Sequence, residues 1–411
     1  MQPIITDQPY EFVPPYHGVF WPKVLKLIVP GYLRRTHGVV DTEIRDIDKL
    51  AVHVKAGHGV LIAPNHCRMA DPLVMQMLSK QLGRNFFVMA SSHLFYRNRL
   101  RAWLIRRSGG FSVYREGVDR ESVRAAIDIL DRGSRPLVIF PEGSLSHAND
   151  RLNALMAGVP LIARAAARKA EKSSKDQGAG RIVVVPVAIK YLFGGDVRRE
   201  VEPMLDEIET RLSWRVQSRL PLLERIYKLG HALLTLKEME FLGQPGEGSA
   251  DERLKRLIDN LLEPLETKWL DGRPKDSVTA SVISRVKELR RAVLPEMIAG
   301  ELAEVEWKTR WRVLEDMHLA QQLSLYPPKY VATNPTTDRL LETVVRFSDH
   351  LGGKERPHPP IRAVVQVGDA IDVEPERRRD PGGDPLLSGI EQQLQSMLDT
   401  LSDESTKFDD A

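Results

Sequence analysis

The sequence predicts an α/β fold: a largely parallel sheet flanked by helices and carrying a long helical insert. Three observations predict it. Short apolar runs of strand length recur between residues 49 and 195: GVLIAP (59–64), FFVMAS (86–91), GFSVY (110–114), PLVIFP (136–141) and IVVVPVAI (182–189). The stretches 72–82, 119–132 and 154–169 between them place apolar residues at helical spacing, and strands alternating with helices at this interval build parallel sheets. Residues 196–345 then turn into long amphipathic segments, and a last strand-like run, IRAVVQVGDAID, follows at 361–372.

In chain order, residues 1–48 read as an N-terminal extension. A Pro-rich stretch leads into FWPKVLKLIVPGYLRR, an aromatic pair and an aliphatic stripe set among basic residues. Such a segment can lie in a membrane interface with its cations toward the headgroups, or turn its stripe into a core. Residues 49–195 read as the core domain, with runs rich in Val, Ile and Phe. Within it, HLFYRNRLRAWLIRRSGG (93–110) gathers Arg97, Arg99, Arg101, Arg106 and Arg107 around Trp103, Leu104 and Ile105. That is more positive charge than a core-facing helix needs, which favours membrane contact; the alternative is an apolar core face with solvated arginines. Anionic headgroups add about 1 kcal/mol per basic residue near the surface.

Residues 196–345 read as a helical insert, punctuated at Gly243–Gly248, Asp271–Pro274 and Pro327–Pro328. No fixed period repeats, which argues against a solenoid. Residues 346–411 are expected to return to the core: 363–371 rejoins the sheet, GIEQQLQSMLDTL forms a helix, and the acidic tail SDESTKFDDA frays. The alternative to an interrupted domain is two independent ones.

Composition narrows the classes. The 411 residues carry a net charge of only +3, so overall charge does not argue for nucleic acid. Cys67 is the sole cysteine, which excludes an intrachain disulfide and points to a reducing compartment. No run of 18 apolar residues occurs, so no transmembrane helix is expected, and MQPIITDQPYEF lacks the basic start and apolar run of a signal peptide. The expectation is a cytoplasmic protein that meets lipid peripherally, on the cytoplasmic face of a membrane.

The first constellation with chemical content is APNHCRMADP, in which His66 and Asp71 stand five residues apart. Inside one regular helix, five steps of about 100° would set them about 140° apart, on different faces. They meet only if His66 lies in a turn after the strand GVLIAP and the helix starts near Met69 or Ala70. An imidazole can then take a proton from an alcohol, with the carboxylate fixing its tautomer and stabilising the imidazolium. The alternative is a structural histidine beside an aspartate cap. Cys67 beside the histidine is not read as a nucleophile, because adjacent side chains point apart. His53, His58 and His66 show no ligand spacing for a metal.

Three further segments follow: GGFSVYR (109–115), FPEGSLS (140–146) and VVPVAIKY (184–191). In this order and at these separations they resemble the four sequence blocks of the glycerolipid acyltransferases, the family of lysophosphatidate and glycerol-3-phosphate acyltransferases. Asn65, His66 and Asp71 match the first block, Gly110, Phe111 and Arg115 the second. Phe140, Pro141, Glu142 and Gly143 match the third, Val185, Pro186 and Val187 the fourth. The resemblance covers about residues 50–195 and extends weakly to VVQVGDAI. It implies an acyltransferase-like α/β core, with His66 as base and Asp71 as its partner. It also implies one-step transfer from acyl-CoA or an acyl carrier protein to a lysophospholipid or glycerophosphate-like acceptor. It implies neither a metal nor a cofactor besides that thioester.

Supporting roles follow from residue chemistry. Arg115 offers a fork suited to an acceptor phosphate, or an ordinary ion pair with Glu116. Glu142 is read as a ligand for acceptor hydroxyls, or as a turn carboxylate. Gly143 permits close approach or positive φ, and Asn65 and Ser144 complete the expected substrate-binding set. Two cations common in the family are missing: Leu145 stands where Arg is usual, and Met156 where Lys is usual. A lost charge-assisted hydrogen bond matters by roughly 1.5–3 kcal/mol, so an acceptor other than lysophosphatidate stays open. Arg68 is a candidate replacement, binding the acceptor's anionic group together with Arg115. A non-catalytic lipid-binding scaffold and a thioesterase remain the competing functions.

Overall fold

The computed structural model describes residues 9–96, 98–117, 119–173, 180–270, 281–300, 302–326, 329–353, 356–376 and 383–409. Arg97, Asp271–Pro274 and Pro327–Pro328, invoked above, lie outside them.

The elements run α1 (Phe20–His37), β1 (Val39–Arg45), α2 (Ile47–Lys55), β2 (Gly59–Pro64), α3 (Asp71–Gln81), β3 (Phe87–Ser91), α4 (His93–Tyr96), α5 (Arg99–Arg107) and β4 (Gly110–Val113). Next come α6 (Arg120–Arg132), β5 (Leu137–Val138), α7 (Gly158–Ser173) and β6 (Ile182–Phe193). Seven helices follow: α8 (Val197–Arg211), α9 (Leu222–Leu242), α10 (Ala250–Trp269), α11 (Val282–Ala299), α12 (Glu304–Ser324), α13 (Tyr330–Thr333) and α14 (Thr337–His350). The chain closes with β7 (Ile361–Val367), β8 (Ile371–Asp372) and α15 (Pro385–Ser402).

Two compact units result. One holds residues 11–195 and 355–406; the other holds 196–354 with 1–10 and 407–411.

The first unit is built on one sheet of strand order β1-β7-β6-β2-β5-β3-β4, with β8 pairing β6. Strands β6, β2, β5, β3 and β4 are mutually parallel. β7 runs antiparallel to β6 and parallel to β1, so the sheet is mostly parallel but mixed. Every residue of β2 and of β6 is buried, as both faces of a helix-covered strand must be. Leu61, Phe111, Leu130, Ala163, Val184 and Ile390 join the sheet to α6, α7 and α15 in one core. Helix α6 shows why such a segment closes. Asp119 caps its start by accepting the Ser122 N–H, and Gly133 ends it at φ +58°.

Two sequence expectations need correction here. Residues 39–45, assigned to the N-terminal extension, form β1 at the sheet's edge, paired to β7. The tail does not fray through its described length. Thr336 and Lys407 form a β-bridge, the Phe408 N–H bonds Pro335 O at 2.9 Å, and the Arg198 guanidinium lies over the Phe408 ring.

The second unit packs helices around Leu257, Leu289, Val293, Leu314 and Met317. Buried arginines latch successive helices. Arg225, Arg253 and Arg285, each the fourth residue of its helix, bond Glu209, Glu238 and Glu266 on the helix before.

Candidate active site

β2 ends at Pro64, opposite Val187 of β6. Beyond that point a side chain replaces the strand. Asn65 Nδ2 donates to Ile189 O at 3.0 Å, and its Oδ1 accepts the Ile189 N–H at 2.6 Å. The amide is bonded at both ends and buried. The sequence reading placed Asn65 among the substrate-binding residues; in the fold both ends of its amide hold the Ile189 backbone.

The chain then turns, and α3 begins at Asp71. His66 Nδ1 lies 2.8 Å from Asp71 Oδ2. The same oxygen accepts the backbone N–H groups of Cys67 at 2.7 Å and Arg68 at 2.9 Å, so the turn is wrapped around the carboxylate. Asp71 Oδ1 accepts the Tyr191 hydroxyl at 2.6 Å. An ionised carboxylate only accepts, so Nδ1 is the protonated nitrogen of neutral His66 and Nε2 is left to receive a proton. The imidazole stacks on Phe140 with centroids 4.2 Å apart.

The loop after β5 clamps the His66 backbone from both sides. Glu142 Oε1 accepts the His66 N–H at 2.6 Å, and the Ser146 N–H donates to His66 O at 2.8 Å. Glu142 Oε2 accepts the Asn153 N–H at 3.0 Å. The side chain is fully buried, and desolvation pushes its pKa up to about 8, against the two N–H donors that favour the charged form. Glu142 is thus a buried turn carboxylate whose two oxygens hold the backbone N–H groups of His66 and Asn153, where the sequence reading set it against acceptor hydroxyls.

Gly143 adopts φ +68°, a conformation that strains other residues. An added Cβ would also fall 2.2 Å from Met156 Sδ. Met156 therefore packs over the turn where the family usually has Lys nearby. Ser144 Oγ is buried without a hydrogen-bond partner among the described residues.

Arg68 lies over the Tyr191 ring, 4.8 Å from its centroid, and is half-buried. Arg115 stands two residues past β4, three strand positions from β2, a lateral step of about 14 Å at ~4.8 Å per strand. It shares the carboxyl edge of the sheet with His66, the edge at which open α/β sheets bind ligands. Burial lowers its pKa, opposed by the charge of Glu116. Cys67 is buried with Sγ facing Asp71 Oδ1 at 3.8 Å and Ile189 O at 4.0 Å. His53 and His58 meet through Nδ1 atoms 3.0 Å apart before β2 begins, at the far end of that strand from His66. Among the described residues no group of three or more His, Cys, Asp or Glu is arranged to hold a metal ion.

Sequence reasoning did not assign Tyr191. It closes the VVPVAIKY run, but a tyrosine at the end of a buried strand reads as core until its hydroxyl is seen on Asp71.

A histidine with one nitrogen on a buried carboxylate, set in a turn at the carboxyl edge of a mostly parallel sheet, marks a class of α/β proteins whose geometry suits proton transfer from a hydroxyl. Comparison with known proteins narrows the class. Residues 43–190 match the family model described as Acyltransferase. The 1-acyl-sn-glycerol-3-phosphate acyltransferase of Streptococcus pneumoniae (strain ATCC BAA-255 / R6) is 36% identical over 107 residues, 26% of this chain and 37% of that protein. The match thus spans little more than a third of the relative's length. Residues 43–190 thus carry the domain that this acyltransferase family model describes.

Proposed function

We propose that this chain transfers a fatty acyl group from acyl-CoA or an acyl carrier protein to the hydroxyl of a lysophospholipid or glycerophosphate-type acceptor. The contact between His66 Nδ1 and Asp71 Oδ2 inside the family domain carries the proposal. His66 Nε2 takes the acceptor's hydroxyl proton as that oxygen attacks the thioester carbonyl. The C–S bond breaks, and the thiolate leaves with the proton returned by the imidazolium. No acyl-enzyme forms. Asp71 holds the tautomer and stabilises the imidazolium. A base so placed contributes roughly 10²–10⁴-fold. Arg68 and Arg115 supply positive charge for the acceptor's anionic group.

The reaction is set at a membrane surface, on the cytoplasmic side. Helix α1 exposes Phe20, Leu27, Ile28 and Tyr32, and α5 exposes Leu100 beside its arginines. Trp21 and Trp103 meet edge-on at 4.8 Å and join the two helices. No helix among the described residues is long and apolar enough to cross a membrane, so these faces serve as an interfacial footing.

A second acceptor reading has a specific observation behind it. Leu145 and Met156 replace two cations usual in the family, which favours a lipid acceptor that is not a bare phosphate monoester. A panel of acceptors with radiolabelled acyl-CoA tests both. Transfer to lysophosphatidate or glycerol 3-phosphate supports the first reading, and transfer confined to other lipids supports the second. Release of free fatty acid alone indicates a thioesterase, and no turnover a lipid-binding scaffold.

A further inference from the structure

Asp71 has two oxygens with different partners. Oδ2 faces His66 Nδ1 and the turn; Oδ1 faces the Tyr191 hydroxyl at 2.6 Å. Tyr191 is fully buried and pinned at its backbone as well, because Asn149 Oδ1 accepts its N–H at 2.9 Å. Above Val187 no β2 residue is left to pair with β6. Asn65 fills the gap at Ile189 and Asn149 fills it at Tyr191. The phenol is therefore delivered to Asp71 by a backbone fixed two and four residues past Val187, the last β6 residue paired with β2. Burial and the charge of Asp71 hold its pKa well above the ordinary value, so the hydroxyl keeps its proton and only donates.

We infer that Tyr191 is a positioning residue whose O–H sets how much of the Asp71 charge reaches His66. A donor on Oδ1 draws charge from the carboxylate, and the imidazolium on Oδ2 gains less from it. With the phenol in place, His66 stays neutral, and able to act as a base, to lower pH. A packing role alone predicts none of this, since Phe fills the same volume.

The inference deepens the acyl-transfer reading and rests on it for its consequence. Its first test does not depend on activity. In the full chain, the ring titration of His66 is followed by NMR in the wild type and in Tyr191→Phe. The midpoint is expected to rise by roughly half a pH unit or more as the carboxylate recovers its full charge. In turnover, the acid limb of kcat/KM is expected to move up with it, lowering kcat/KM on that limb by about 3-fold for a half-unit rise, at unchanged acceptor KM. Site-specific 3-fluorotyrosine at position 191 keeps the ring and strengthens the donor; it is expected to move the midpoint down, and it gives the answer if Tyr191→Phe does not fold. An unchanged midpoint in either folded variant overturns the inference. A wild type that transfers no acyl group leaves the titration result standing and counts against the functional reading instead.

Discussion

Asn65 continues the β2–β6 ladder with its side chain, holding both the N–H and the C=O of Ile189. Replacement by Ala leaves two buried backbone groups unpaired, each at about 1–3 kcal/mol. Asn65→Ala is therefore expected to lower the urea midpoint by several tenths of a molar or more. An unchanged midpoint would show that water replaces the amide there.

Glu142 carries a pH dependence whose sign is fixed. Its folded pKa, about 8, lies above the ordinary 4.5. Its contribution to stability is thus fully present below pH about 4.5 and declines as pH rises through about 8. Unfolding free energies are compared from pH 5 to pH 8.5, and that of the wild type is expected to fall relative to that of Glu142→Gln as pH rises. Parallel curves contradict the assignment.

Arg68 keeps its place in the turn through its backbone N–H on Asp71, so truncating its side chain spares the His66–Asp71 contact. Arg68→Ala is expected to raise the acceptor KM about 10–100-fold, the range of a lost charge-assisted hydrogen bond, with a smaller change in kcat. Steady-state kinetics at saturating acyl-CoA measure it. An unchanged KM removes Arg68 from the acceptor site.

In the helical unit, Glu238 faces Arg253 through two bonds, Nε–Oε1 at 2.9 Å and Nη2–Oε2 at 2.6 Å, with both side chains buried. Removing one partner strands the other's charge, which typically costs about 3–5 kcal/mol. Glu238→Ala is expected to lose that much in chemical denaturation. The double variant Glu238→Leu/Arg253→Met should recover most of it, and equal losses for single and double variants would contradict the latch.

How far the sequence could be read followed from where each residue's partners lie. β2 and the first part of β6 were legible because every position is apolar. β1 was not, because VVDTEIR sets Asp41, Glu43 and Arg45 along an edge strand and resembles a polar continuation of the extension. PLVIFP yielded a strand of only Leu137–Val138, since Phe140 turns onto the His66 ring and Pro141 opens the Glu142 loop. The turn between His66 and Asp71 was legible because their five-residue spacing demands it. The tasks of Asn65 and Glu142 were not: their partners are backbone atoms 124 and 76 residues away, which side-chain chemistry in a linear sequence does not display. Tyr191 lies 120 residues from Asp71 and escaped for the same reason.

His66, oriented by Asp71, is the proposed base for acyl transfer. The most direct test is the single-turnover rate of acyl transfer from radiolabelled acyl-CoA to the best acceptor, in wild type and in His66→Ala, with folding verified by circular dichroism. A loss of about 10²–10⁴-fold in the transfer step is expected, with thioester binding retained. A folded His66→Ala protein that transfers the acyl group at the wild-type rate would contradict the account.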